Sequence, residues 1–135
     1  MFYRDEEGAV VGLLGDFDNA SKASDEGDVI GSNLKQRTGT VPFMALDILT
    51  SAGTPIPHFY RHDLESFLYL LIWAGVQFDL NAGVCLDTSP TLAGWNAKYS
   101  YEFESAMGKK SLFWQRQVVA EGILETFQPA FEGIV

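Results

Sequence analysis

Two histidines, His58 and His62, stand four residues apart, a spacing that on a helix would offer both imidazoles from one face to zinc. Pro55 and Pro57 lie just before His58 and make a regular helix there doubtful, so the pair reads as surface or capping histidines. The one cysteine, Cys85, has no His or Asp near it at a motif spacing and cannot form an internal disulfide. It reads as structural, and a lone thiol fits a reducing cytosol or nucleus. Asp16 and Asp18 flank Phe17 where an apolar run stops; taken alone, they make an acidic turn after a strand. Asp63 stands before a long apolar segment, where its carboxylate could accept an N–H bond as a helix N-cap.

These residues need elements to hold them. Phe2-Tyr3, the polar Asp5-Glu6-Glu7-Gly8 and the apolar Ala9 to Leu14 predict a hairpin with a buried second strand over residues 1–18. Residues 19–39 turn small, polar and charged and read as a long surface loop, a length that is usually functional or disordered. Pro42 opens a short helix through Leu49, and a loop with two further prolines follows. The strongest helix is predicted over Asp63–Val76, with Leu64, Phe67, Leu68, Leu71 and Ile72 on one face and Leu70 and Trp73 widening it. A helix broken by Gly94 is expected over 91–107. A better one is expected over 111–127, with Arg116, Glu121 and Glu125 towards solvent.

Composition sets the outer limits. With 135 residues, 47% of them hydrophobic and 13% aromatic, the chain suits one domain, or part of one, with a real core. Nine basic residues against 18 acidic ones give a formal charge of −9, which argues against a nucleic-acid partner and an anionic membrane surface. The longest apolar stretch, Phe67 to Phe78, is shorter than the roughly 20 residues a membrane span needs. The N-terminus lacks a secretory pattern, so an intracellular location, cytoplasmic or nuclear, is expected.

Four segments occur in a telling order: Val10-Val11-Gly12-Leu13-Leu14-Gly15-Asp16-Phe17-Asp18, Arg37-Thr38-Gly39-Thr40-Val41-Pro42-Phe43-Met44-Ala45, Tyr60-Arg61-His62-Asp63-Leu64-Glu65-Ser66-Phe67, and Leu70-Leu71-Ile72-Trp73. Gly108-Lys109-Lys110-Ser111-Leu112-Phe113, after Trp95, is a weaker fifth. Together they resemble the second lobe of a protein kinase, specifically of the fungal-type protein kinase family, over about residues 1–115. The expected fold is mainly α with a short N-terminal β-hairpin, a partial kinase-like C-lobe. Its expected divisions are residues 1–18, an activation segment over 19–45 and a helical subdomain over 46–135.

The resemblance gives the residues roles. Asp16-Phe17-Asp18 is similar to the kinase Asp-Phe-Gly motif, so Asp16 would bind the Mg²⁺ that bridges ATP phosphates, and Phe17 would pack inward and set its position. Asp18, in place of glycine, adds a charge that could serve as a second metal ligand. Ser21, Ser24, Ser32 and Thr38 become candidate phosphoacceptors of the activation segment. Thr38, Gly39 and Thr40 belong to the peptide-docking loop. Asp47 stands where most kinases have the glutamate of Ala-Pro-Glu, and its shorter reach puts the usual buried salt bridge in doubt; Arg116 is the suggested partner. Asp63 and Ser66 resemble the Asp-x-x-Ser that opens the lobe's central helix, where the aspartate accepts N–H bonds from the catalytic loop. Arg61-His62-Asp63 has the residue types of the catalytic His-Arg-Asp triplet, but in another order and at the wrong place in the chain.

A complete kinase also needs a Gly-rich loop, a strand lysine paired with a helix glutamate, and a His-Arg-Asp loop with its metal-binding Asn. The chain contains none of these, and the family pattern places the catalytic Asp and Asn just before Met1. The expectation is therefore a fragment of a protein Ser/Thr kinase domain that needs ATP and Mg²⁺ when complete and is inactive alone. Its partner would be a protein substrate or the missing kinase lobe. The alternative is a non-catalytic, pseudokinase-like interaction module using the acidic surface.

Overall fold

The acidic turn closes on Gly8, whose φ of 83° is a left-handed conformation that glycine adopts without a Cβ penalty. Asp5 organises the turn by accepting the N–H groups of Glu7 (3.1 Å) and Ala9 (2.8 Å) on its carboxylate. This sets β1 (Phe2–Arg4) antiparallel to β2 (Val10–Gly12), with Phe2 opposite Gly12, Tyr3 opposite Val11 and Arg4 opposite Val10. The expected hairpin is present, but its second strand is not buried: Val10 and Leu13 are exposed. The computed structural model describes residues 2–13, 15, 22–24, 29–30, 40–51, 54, 56–97, 102–131 and 133. Within the expected long loop, β3 (Lys22–Ala23) pairs antiparallel with β4 (Val29–Ile30).

The chain divides into two compact units, Met1–Asn33 with these two strand pairs and Leu34–Val135 with the helices. In the second unit a 3-10 turn over Val41–Phe43, with Pro42 in its first turn, leads into α1 (Leu46–Thr50). The long helix α2 spans Tyr60–Gln77. A small hairpin of β5 (Phe78–Asp79) and β6 (Val84–Cys85) follows, turning through Gly83 at φ 66°. Next come α3 (Pro90–Ala93), α4 (Phe103–Gln115), α5 (Gln117–Leu124) and a closing 3-10 turn over Pro129–Phe131. The fold is mainly helical with an N-terminal hairpin, as the sequence predicts.

The main core gathers on one side of α2. Tyr69, Ile72 and Val76 meet Leu92, Trp95 and Ile123, with Phe113 and Phe127 packed around them. Trp95 makes edge-to-face contacts with Tyr69 (5.2 Å) and Phe113 (5.8 Å), geometry that suits the ring quadrupoles. A second cluster, Val41, Met44, Leu49 and Ala106, ties the 3-10 turn and α1 to α4.

Three sequence expectations are corrected here. The buried face of α2 is not the predicted stripe: Leu64 and Phe67 are each 50% exposed, and Leu70 and Leu71 are exposed as well. Of that stripe only Ile72 is buried, because the packing elements approach the Tyr69–Ile72–Val76 side, one third of a turn away. The helix starts at Tyr60 with Phe59 as N-cap, so Asp63 lies inside the first turn rather than capping it. Finally, the expected helix over 111–127 is two helices. Arg116, at φ −130° and ψ 105°, is extended and separates α4 from α5.

Candidate functional site

Thr40, exposed and extended, introduces the 3-10 turn, and its carbonyl accepts the Phe43 N–H at 2.9 Å. The Val41 carbonyl accepts from Met44 N–H at 3.2 Å, and Ala45 and Met44 are buried behind it. The segment therefore offers Thr40 to solvent while its far end is clamped into the core. Leu46, at the start of α1, donates its N–H to Glu65 Oε1 of α2 at 2.8 Å.

Glu65 also accepts the Tyr69 hydroxyl proton, and the Tyr69 oxygen accepts the Trp114 indole N–H at 2.7 Å. One chain of hydrogen bonds thus joins α1, two turns of α2 and the end of α4. Burial raises the Tyr69 pKa, and its bond to the Glu65 carboxylate raises it further, so Tyr69 remains a neutral donor.

Asp47 pairs with Arg61 at 2.7 Å and faces His62 Nε2 at 3.6 Å. The suggested partner, Arg116, is replaced by Arg61, which the fold brings to Asp47 from the first turn of α2. Both side chains are more than half exposed, so this is a surface pair and not a buried one. His62 is buried, and its Nδ1 accepts the Phe59 N–H at 3.2 Å, which caps the helix from within. Burial lowers its pKa, the neighbouring His58 and Arg61 lower it further, and Asp47 opposes them. Asp63 pairs with His58 at 3.0 Å. Ser66 donates its hydroxyl to the His62 carbonyl one turn back at 2.8 Å. Ser24 is partly buried in the first unit.

Asp47, Arg61, Leu64, Glu65, Leu68 and Trp114 line an open cleft of about 430 Å³. The two histidines lie 5.4 Å apart, ring centre to ring centre, with His62 inside α2 and His58 before it. Among the described residues, no three His, Cys, Asp or Glu side chains gather closely enough to hold a metal ion. Asp16, Phe17, Asp18, Ser21, Ser32, Thr38 and Gly39 lie outside the described residues. No helix among the described residues is long and apolar enough to cross a membrane.

Sequence reasoning missed Lys110. It is fully buried, and its Nζ reaches the carbonyls of Val41 and Met44. A signal existed: Ala106, Lys110 and Phe113 recur at i, i+4 and i+7, one inward stripe of α4. Starting the helix at residue 111 concealed that stripe.

No curated protein matches the chain, and no solved structure does. The family profile described as Fungal protein kinase matches residues 1–75. That is more than half of the 135 residues, and it runs through Asp16-Phe17-Asp18, the 3-10 turn after Thr40 and nearly all of α2. The chain belongs to the fungal protein kinase family.

Proposed function

We propose that this chain carries the substrate-docking part of a fungal-type Ser/Thr kinase domain and does not transfer phosphate by itself. The observation that carries the reading is the family match over residues 1–75, which spans the Asp-Phe-Asp motif, the Thr40 segment and α2 together. Asp16 would be a ligand for Mg²⁺, with Asp18 beside it. Such an ion would offset the negative charge of the ATP phosphates during phosphoryl transfer. Thr38, Gly39 and Thr40 would receive the substrate peptide, and Asp63 and Ser66 would anchor the catalytic loop at the start of α2. The sequence has no Gly-x-Gly-x-x-Gly, no Val-Ala-x-Lys and no His-Arg-Asp. Phosphoryl transfer relies on positioning and electrostatics, which one part of a site does not supply.

The exposed side of α2 supports a role for the rest of the lobe as partner. Tyr60, Leu64, Phe67 and Leu71 follow one another at helical spacing, all exposed, and make a continuous apolar stripe. The same stripe favours a second reading, a non-catalytic interaction module, since large exposed apolar patches mark interaction sites. An assay of residues 1–135 with Mg·ATP and a generic Ser/Thr protein substrate tests the proposal. No turnover and weak or absent Mg·ATP binding are expected. Turnover that vanishes in Asp16→Ala would overturn the claim of inactivity.

A further inference from the structure

Lys110 buries its whole side chain, with 0% of it exposed, yet among the described residues no carboxylate bonds it directly. Its Nζ donates to Val41 O at 3.0 Å and to Met44 O at 2.6 Å, and lies 3.9 Å from the Tyr69 ring centroid and 5.8 Å from that of Trp95. The two carbonyls bracket the 3-10 turn that follows Thr40. Resting on the kinase reading above, in which this turn completes the peptide-docking segment, we propose that Lys110 is the positioning residue that fixes the docking segment against α4.

Apolar contact alone would leave the segment free to slide. Val41, Met44 and Leu49 press on Ala106, one turn before Lys110, but such packing is non-directional. Two hydrogen bonds from one nitrogen, to carbonyls three residues apart, set register as well as contact. The Lys110 Nζ lies over the Tyr69 ring, so the same side chain links the segment to the core of α2.

The charge of Lys110 adds a dependence on pH. Glu65 and Tyr69 face it from α2, the neighbouring Lys109 on α4 is exposed, and Asp47 of α1 is exposed and paired with Arg61. The 3-10 turn and Trp95 bring no titratable group. Burial lowers the Lys110 pKa to about 7, with Glu65 acting in the opposite direction. A lysine released to water titrates near its ordinary 10.5. Closing the segment over Lys110 therefore favours the neutral amine, whose two N–H groups match the two carbonyls. Closure strengthens as pH rises above 7 and levels off towards 10.5.

Amide exchange of Phe43, Met44 and Leu46 in the 1–135 chain, read as protection factors between pH 6 and 9, tests this. In the wild type, protection is expected to be flat below pH 7 and to rise by up to about tenfold per pH unit above it. In Lys110→Met the profile is expected to be flat, with protection at pH 8 about 10–100-fold lower, while Tyr69 and Ile72 keep theirs. A wild-type profile that is flat or falls across this range overturns the proposal, and that arm needs no variant to fold. Unchanged protection in Lys110→Met would overturn it too. The kinase reading is judged separately, by Ser/Thr peptide binding. Absent peptide binding with the pH-dependent profile intact would reject that reading and retain the anchor.

Discussion

Gly75 and Phe127 approach so closely that a Cβ on Gly75 would lie 2.6 Å from the Phe127 ring. The Gly75 carbonyl also accepts the Gln128 N–H at 2.7 Å, so the chain after α5 is seated directly on the backbone of α2. Glycine within a helix costs helix propensity, and here, in the last turn of α2, it creates the notch that receives a ring.

Gly75→Ala should therefore destabilise the fold despite a propensity gain of about 1 kcal/mol. Overpacking of this kind costs about 1–3 kcal/mol. Denaturant unfolding would measure the net loss, and pairing with Phe127→Ala should relieve most of it. A stabilised Gly75→Ala single variant would show that the notch is open.

The two faces of α2 should respond oppositely to truncation. Ile72→Ala is expected to cost about 2–5 kcal/mol, because Ile72 lies in the core with Trp95 and Ile123. Phe67→Ala should cost only about 1 kcal/mol, since half of Phe67 is already in water. Leu64→Ser with Phe67→Ser should reduce self-association in sedimentation while leaving the melting transition nearly unchanged.

The Asp47–Arg61 pair should contribute little. In a double-mutant cycle its coupling is expected below about 1 kcal/mol and weaker still in high salt, as for exposed ion pairs. A coupling of about 3 kcal/mol or more would indicate a buried pair of the kind the kinase resemblance suggests.

His62 should make the fold sensitive to acid. Its pKa is lowered in the folded state from 6.5, so folding favours the neutral ring. The contribution is fully present above pH 6.5 and is lost as pH falls from there through the lowered folded value. His62→Gln should flatten the decline in stability between pH 7 and 5, measured by chemical denaturation. An unchanged slope would assign the acid sensitivity to other groups.

Much of the architecture was legible because it depends on local chemistry. Gly8 after three acidic residues fixes a turn, and Pro42 lies in a first helical turn, although the short helix expected to run through Leu49 is broken by extended Met44 and Ala45 into a 3-10 turn and α1. The apolar run Phe67–Phe78 identifies the central helix. Its orientation was not legible. Leucines and aromatics lie all round α2, so periodicity alone did not separate the covered face of Tyr69 and Ile72 from the exposed face of Leu64 and Phe67. The partner of Asp47 was likewise hidden, because Arg61 reaches it across the loop between α1 and α2. Lys110 was hidden for a different reason: a lysine on an inward stripe reads as polar until the carbonyls it bonds, 66 and 69 residues away, are placed beside it.

The central proposal is that this chain supplies Asp16 and the Thr40 segment to a kinase site that residues 1–135 do not complete. The most direct measurement is phosphate transfer from Mg·ATP to a Ser/Thr protein by residues 1–135, alone and mixed with a polypeptide carrying a fungal-type Gly-rich loop, lysine and His-Arg-Asp loop. The account predicts no transfer by either part alone, transfer by the mixture, and its loss when the chain carries Asp16→Ala. Transfer by residues 1–135 alone, or reconstituted transfer that survives Asp16→Ala, would contradict it.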